Sequence, residues 1–321
     1  MKIKYKIHYN ALKTSDHWKK LIFALSYFLC NLFWTPVGAQ DLEPGFLSAI
    51  PIGTNIAIAA TGYSQGNILL DNTLPIEDLE AKIYNFALGY FYSFKLFNRL
   101  AKMDVVVPYA LADFNAIVEN EPQSATRNGL GDPMLRLSMI LVGADPVKPQ
   151  EFFKQEQQKF KMGVSFRVLA PLGQYDSDRL INIGANRWAM KTGIGASYTI
   201  KKKLVFEAQF HTLFFGVNDN FYGGNTRKQN PLFEGQFHTT YIFKPGIWVA
   251  ASFGAVNGGD SEINGDKKIS LNNKRYGLSF AYKLNNHHSL KAAYTNGFIT
   301  RTGTDFDTFL LGYQYLWFNK K

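Results

Sequence analysis

Cysteine is nearly absent from this 321-residue chain: there is one, Cys30. The rest of the sequence can therefore hold neither a disulfide framework nor a cysteine metal site. Lipidation is an alternative role for Cys30, but that modification wants a small residue just before the cysteine, and Leu29 is bulky. Beyond residue 40 there is no run of about 18 apolar residues, so no transmembrane helix is expected there. Long basic runs are missing as well; after the N-terminal region the longest is Lys201-Lys202-Lys203. The formal net charge of +10 is in large part an N-terminal effect, because removing Lys2, Lys4, Lys6, Lys13, Lys19, Lys20 and Asp16 leaves +5. With no basic stripe and no recognised module, nucleic acid is not an expected partner.

What the sequence does hold is aromatic and small. Phe (27), Tyr (17) and Gly (27) are abundant while Leu and Ala do not dominate, a bias toward strands over long helices. Ahead of these residues stands a basic region followed by Leu21–Trp34, LIFALSYFLCNLFW. That apolar stretch has the length of a signal-peptide core and is short for a spanning helix. Val37-Gly38-Ala39 supplies the small residues of a cleavage region, so residues 1–39 read as a cleaved signal peptide and 40–321 as the exported domain. An uncleaved signal anchor is the alternative.

From residue 54 onward one pattern repeats: segments of ten to fourteen residues alternating with period two, the length a tilted strand needs to cross a bilayer. In one such segment Tyr84, Phe86, Leu88, Tyr90, Tyr92 and Phe94 share a face against Asn85, Ala87, Gly89 and Ser93. In another, Phe160, Met162, Val164, Phe166 and Val168 oppose Lys161, Gly163, Ser165 and Arg167. A soluble sandwich alternates too. Here the apolar faces are aromatic at their ends, as interfacial girdles require, and the polar faces are rich in small residues that suit a crowded lumen.

Twelve strands are expected, near residues 54–64, 82–94, 101–111, 132–142, 159–170, 187–199, 204–216, 232–243, 247–257, 273–284, 289–299 and 307–318. Links after even-numbered strands are mostly tight and those after odd-numbered strands mostly long and polar, the signature of periplasmic turns and external loops. The long link from Gly143 to Gln158 breaks this rule and is expected to hold a small helix over 151–157. The fold class is thus an all-β, transmembrane, antiparallel up-and-down barrel of about twelve strands. The final alternation of Phe309, Leu311, Tyr313, Tyr315 and Trp317 is similar to the closing strand of bacterial outer-membrane proteins, apart from the Asn319-Lys320-Lys321 tail.

Several loop stretches carry a resemblance: Leu74-Pro75-Ile76-Glu77-Asp78, Gly129-Leu130-Gly131-Asp132-Pro133, Ala170-Pro171-Leu172-Gly173-Gln174-Tyr175, Asn182-Ile183-Gly184-Ala185-Asn186-Arg187-Trp188 and Arg301-Thr302-Gly303-Thr304-Asp305-Phe306-Asp307. In order and spacing they resemble the outer-membrane family named for a meta-pathway of phenol degradation. That resemblance implies a porin-like or transporter barrel of the outer membrane and carries no catalytic residues.

Alternation turns Asp104, Arg136, Lys161, Arg167, Lys191, Glu207, His211, Glu234, His238, Arg275 and Lys291 inward. A net basic lumen favours anions if it is open. At twelve strands the charges can equally pair and plug a narrow barrel, since eight strands are filled and sixteen leave a channel. His211 and His238 with Glu207 and Glu234 suggest a metal or acid–base site, but the spacing fixes only two ligands where three or four must converge, and a hydrogen-bond network is the favoured reading. Ser289 beside His287 and His288 falls in a tight turn, poor ground for a hydrolase. Gly258-Gly259-Asp260 and Asn264-Gly265-Asp266 lack the ligand ladder of a calcium loop and read as turns.

The expectation is a non-enzymatic transporter without cofactor or metal. Its partners would be outer-membrane lipid, a small solute and, during export, the barrel-assembly machinery. A structural or loop-mediated interaction barrel and an outer-membrane hydrolase are the competing classes. N-terminal sequencing of the membrane fraction should read from Gln40; an intact Met1–Ala39 on folded protein would overturn the cleavage expectation.

Overall fold

The structure is a computed structural model that describes residues 42–69, 76–118, 120–267, 270–300 and 303–319. The leader and its cleavage point lie outside the described residues, as do Leu74-Pro75 and Arg301-Thr302 of the loop stretches.

Strands dominate. In chain order they are β1 (Thr54–Leu69), β2 (Ile76–Leu96), β3 (Arg99–Val118), β4 (Glu121–Leu130), β5 (Met134–Val142), β6 (Phe160–Leu169), β7 (Ala189–Ile200), β8 (Leu204–Phe215), β9 (Asn218–Phe221), β10 (Asn225–Gln229), β11 (Leu232–Lys244), β12 (Ile247–Gly258), β13 (Ser261–Ile263), β14 (Asp266–Lys267), β15 (Leu271–Lys283), β16 (His288–Ile299) and β17 (Gly303–Phe318). Twelve of them form a closed antiparallel barrel. The seam is β1 against β17, running in register from Thr54↔Phe318 to Leu69↔Gly303. Closure leaves no edge among the twelve barrel strands, and with no water in the hydrocarbon every backbone N–H and C=O of the wall must find its partner in a neighbouring strand.

Tyrosines ring both ends of the outer face. Tyr90, Tyr198, Tyr241, Tyr282, Tyr313 and Tyr315 stand exposed near the short turns, and Tyr84, Tyr109, Trp188 and Tyr276 near the long loops. Between them Leu88, Val107, Leu137, Ile194, Phe210 and Leu278 are exposed. This is an apolar band between two amphipathic girdles, the profile of a lipid-facing barrel wall.

The turns are chemically apt. Phe97 and Asn98 connect β2 to β3 with φ of 47° and 60°, the two positive φ values of a type I′ hairpin whose twist matches its strands. Pro245-Gly246 connects β11 to β12, with Gly246 at φ 82°.

Three features differ from the alternation-based expectation. β1, β2 and β3 run past the expected ends, and β3 pairs with β4 over Tyr109↔Leu130 to Val118↔Glu121, so residues 112–118 and 121–130 pair as strands where a loop was expected. Polar, weakly alternating residues hid the pairing. The strands β9, β10, β13 and β14 form a second small sheet on the loop side. The helix in the long 143–158 link spans Pro149–Phe152, earlier and shorter than 151–157, because Pro149 starts it at a position where its missing N–H is harmless.

The facing can be tested at β6. Phe166 is 44% exposed on the outer face while its neighbour Arg167 is buried on the inner one. A cation on the lipid face toward the midplane costs about 2–4 kcal/mol. Phe166→Arg should lower refolding stability in vesicles by that amount in a urea titration, while Phe166→Leu, which keeps the position apolar, should cost clearly less. Equal tolerance of both would place Phe166 off the lipid face.

Candidate functional site: a lumen occupied by residues 42–53

The inner face is the chemically rich one. The structure places Asp104, Arg136, Lys161, Arg167, Lys191, Glu207, His211, Glu234, His238, Arg275 and Lys291 on the strand face opposite the exposed aromatics, most of them buried. Lys102, Gln209 and Gln236 join them on the same face and are also buried. These three were accessible to alternation, since each sits two residues from a residue already assigned inward.

Ion pairing organises part of this wall. Arg136 Nε donates to Asp104 at 2.9 Å, and Lys191 Nζ lies 2.6 Å from Glu234. His211 Nδ1 stands 3.6 Å from the same carboxylate. His238 is hydrogen-bonded to Ser252 Oγ at 2.8 Å and to Gln236 Oε1 at 3.0 Å. The two histidines are thus engaged separately, and among the described residues no three His, Cys, Asp or Glu side chains converge as a metal cage. Ser289 donates to Gln314 at 3.2 Å, while His287 bonds the Leu316 carbonyl and His288 the Tyr313 hydroxyl. Asn264 and Gly265 form the positive-φ turn of the β13–β14 hairpin.

The side chains do not fill the lumen by themselves. Ahead of β1, residues 42–53 fold back into it. At the turn end the segment is clasped by backbone: Gly53 N–H donates to the Ser93 carbonyl at 2.8 Å and Ile52 N–H to the Val147 carbonyl at 2.9 Å. Val147 belongs to the anomalous 143–158 link, so the extra length of that turn has a structural role in holding the segment. Ser93 and Thr54 hydroxyls both donate to the Pro51 carbonyl, at 2.6 and 2.7 Å. Further in, Leu47 is buried with Leu100 and Ile140, and Phe46, Ala49, Ile52 and Ala144 pack around them.

The wall is shaped for this segment. A Cβ on Gly163 would sit 2.8 Å from Leu47, one on Gly195 3.3 Å from Phe46, and one on Gly277 3.0 Å from Leu42. Glycines on β6, β7 and β15 thus clear space for three of its large apolar side chains. Backbone polar groups of the segment are matched too. The N–H groups of Phe46 and Leu47 donate one to each Glu207 oxygen, at 3.1 and 3.2 Å. Gln209 donates to the Glu43 carbonyl at 3.1 Å, and Lys102 Nζ donates to the Phe46 and Ser48 carbonyls.

Glu43 lies among the cations of the wall. One carboxylate oxygen pairs with Arg136 and the other with Arg167, the latter at 2.8 Å. The space left among Glu43, Phe46, Arg136, Arg167, Lys191 and Gln209 is about 10 Å³, room for no more than one water. This part of the lumen is therefore occupied by main chain and ion pairs together. Nothing in the sequence signalled that, because residues 42–53 have no periodicity to read.

A second concavity lies among the loops, a cleft of about 680 Å³ with Arg127, Gln174, Tyr175, Asp176, Arg179 and Asn182 in its lining. The conspicuous loop stretches meet beside it. Asp132 accepts from the N–H of Gly173 at 2.9 Å and of Ala185 at 2.8 Å, and Gly184 N–H donates to the Gln174 carbonyl at 2.9 Å. Three separated stretches thus form one hydrogen-bonded knot, and their glycines permit the close backbone approach.

A closed barrel with girdles, short turns, long loops and a polar lumen defines the class of outer-membrane porin-like β-barrels. Within that class the chain belongs to the family described as the putative MetA-pathway of phenol degradation, whose pattern matches residues 61–313. Among solved structures it is similar in fold to an outer-membrane channel from Pseudomonas putida F1, with 17% identity over 86% of this chain and 100% of that one and a TM-score of 0.74. The KdgM porin is a looser likeness, at 9% identity over 81% of this chain and 98% of that one, with a TM-score of 0.44. Among curated proteins, no sequence matches.

The clasp on Glu207 is testable. Hydrogen bonds to a charged group contribute about 1.5–3 kcal/mol each, and Glu207 receives two from the segment. In a Cys30→Ser background with Leu47→Cys, a water-soluble maleimide should label the folded barrel slowly. Adding Glu207→Ala should speed labelling about tenfold or more. An unchanged rate would mean that Glu207 does not hold the segment.

Proposed function

We propose that this protein is a passive outer-membrane channel for small solutes, and that residues 42–53 close its lumen in the state described. The observation that carries this reading is the division of labour inside the barrel. The wall is a continuous closed sheet, whereas the lumen holds residues 42–53, attached at the turn end by backbone hydrogen bonds and further in by side-chain contacts, with no strand pairing. Such a segment can leave without breaking the barrel. Withdrawal would expose an inner face on which Lys102, Arg136, Lys161, Arg167, Lys191, Arg275 and Lys291 outnumber Asp104, Glu207 and Glu234, so that the passage favours anions.

In this reading the chain is exported with cleavage after Ala39, inserts with the help of the barrel-assembly machinery, and has outer-membrane lipid and a small solute as its partners. It needs no cofactor and catalyses no reaction. The competing reading, a structural or loop-mediated interaction barrel that transports nothing, draws support from the occupied lumen itself.

Planar-bilayer recording separates the two. The full-length mature protein should give infrequent, short openings, and a variant lacking residues 42–50 should give sustained current with a reversal potential displaced toward that of the anion. If neither conducts, the transport reading falls and the non-transporting barrel stands.

A further inference from the structure

The charges around Glu43 are arranged in an unusual way. Arg136 on β5 is registered directly opposite Arg167 on β6, and Arg167 directly opposite Lys191 on β7. Three cations therefore stand side by side on three adjacent strands, all facing inward. Like charges directly opposite on a sheet destabilise it, and a low-dielectric setting strengthens the repulsion. Wall carboxylates offset the two ends of the row, Asp104 at Arg136 and Glu234 at Lys191, and a further anion lies across its Arg136–Arg167 half.

In the structure that anion is a carboxylate at the end of a short flexible arm. Its two oxygens divide between Arg136 and Arg167, with Lys191 completing the rim of the same small cavity. Guanidinium groups match the planar, two-oxygen geometry of a carboxylate better than that of a spherical ion. The three cations belong to the rigid wall, and Glu43 belongs to the segment that occupies the lumen. The wall side of the site is thus fixed by the sheet, and its occupant is held by the hydrogen bonds and packing of residues 42–53.

We infer that the row of Arg136, Arg167 and Lys191 is a carboxylate-binding site, occupied by Glu43 in the state described and open to a small organic carboxylate when residues 42–53 withdraw. Its place on a solute path rests on the channel reading above; the binding itself does not. The site gives the channel a substrate class, small organic carboxylates, and couples that class to opening. A solute carboxylate that takes the row displaces Glu43 and with it one ionic anchor of the segment. Propionate is the simplest probe, being the side chain of Glu43 without its backbone.

The test uses the full mature barrel folded in detergent, native and Glu43→Gln, with ¹³C-propionate binding followed by NMR. A tethered group competes at an effective concentration on the order of millimolar or more. Glu43→Gln should therefore bind propionate about tenfold more tightly than native, or better. Neutral propionamide should not bind, and nitrate should compete poorly. Adding Arg136→Gln and Arg167→Gln should abolish binding; if that variant fails to show the heat-modifiable migration of a folded barrel, Lys191→Met in the Glu43→Gln background should weaken binding severalfold. Equal affinity in native and Glu43→Gln protein, equal competition by nitrate, or binding that survives the loss of the row would each overturn the assignment. Conductance of Glu43→Gln is read separately. Propionate binding without current would retain the site and remove the channel reading, while current without propionate binding would do the reverse.

Discussion

The constraint on which this structure depends is the pairing of backbone polar groups in a medium that offers none. A strand in hydrocarbon must satisfy each N–H and C=O through its neighbours, so the sheet must close, and here it closes where β1 meets β17 over the full length of both. Closure at twelve strands then creates a second problem. The interior is wider than the side chains of an eight-stranded barrel would fill and narrower than an open sixteen-stranded pore. In this chain the remaining space is taken by residues 42–53, and Gly163, Gly195 and Gly277 mark where the wall yields to them.

A main-chain segment inside a lumen brings its own unpaired amides and carbonyls, which cost free energy if left unsatisfied. Glu207, Gln209, Gln236 and Lys102 meet them. The same acids and amides that serve the segment lie among cations that would otherwise repel one another, and Glu43 is the segment's contribution to that balance. Apolar contact to Leu100 and Ile140, amide recognition by Glu207 and ion pairing by Glu43 act at successive depths along one strip of chain. None of these is a strand pairing, so the hydrogen-bond ladder of the wall closes without the segment.

The loop end follows a different logic. There the family's conspicuous stretches are tied together by Asp132 and by glycines that let backbones approach, while Leu79, Ala81, Ala112, Phe114 and Phe306 form a small apolar cluster among the extended strands. Those stretches stand out in the sequence because their Gly and Asp positions answer to geometry, whereas the lumen charges are scattered singly along strands and stand out only through alternation.

How much was legible follows from what is local. Period two is a property of each strand alone, so the number of barrel strands, their approximate bounds, their lipid faces and the all-β class could be argued from residues such as Tyr84 to Phe94 and Phe160 to Val168. Turn chemistry is local too, which is why Phe97-Asn98 and Pro245-Gly246 could be placed between strands. The weakly alternating strand pairing of residues 112–118 with 121–130 and the small sheet of β9, β10, β13 and β14 escaped, because polar loop residues pair without a hydrophobic face to announce them. Register escaped as well. Alternation turns Arg136, Arg167 and Lys191 inward one by one, but only the pairing of β5, β6 and β7 sets them side by side. Last, residues 42–53 have no repeating pattern, and their place inside the barrel depends on contacts with residues more than a hundred positions away, such as Glu43 with Arg167 and Leu47 with Glu207. The sequence by itself determined the wall, because the wall is a repetition of local patterns; what fills the wall was decided only by the tertiary structure, because it depends on long-range register and on one short segment meeting a surface made by many strands.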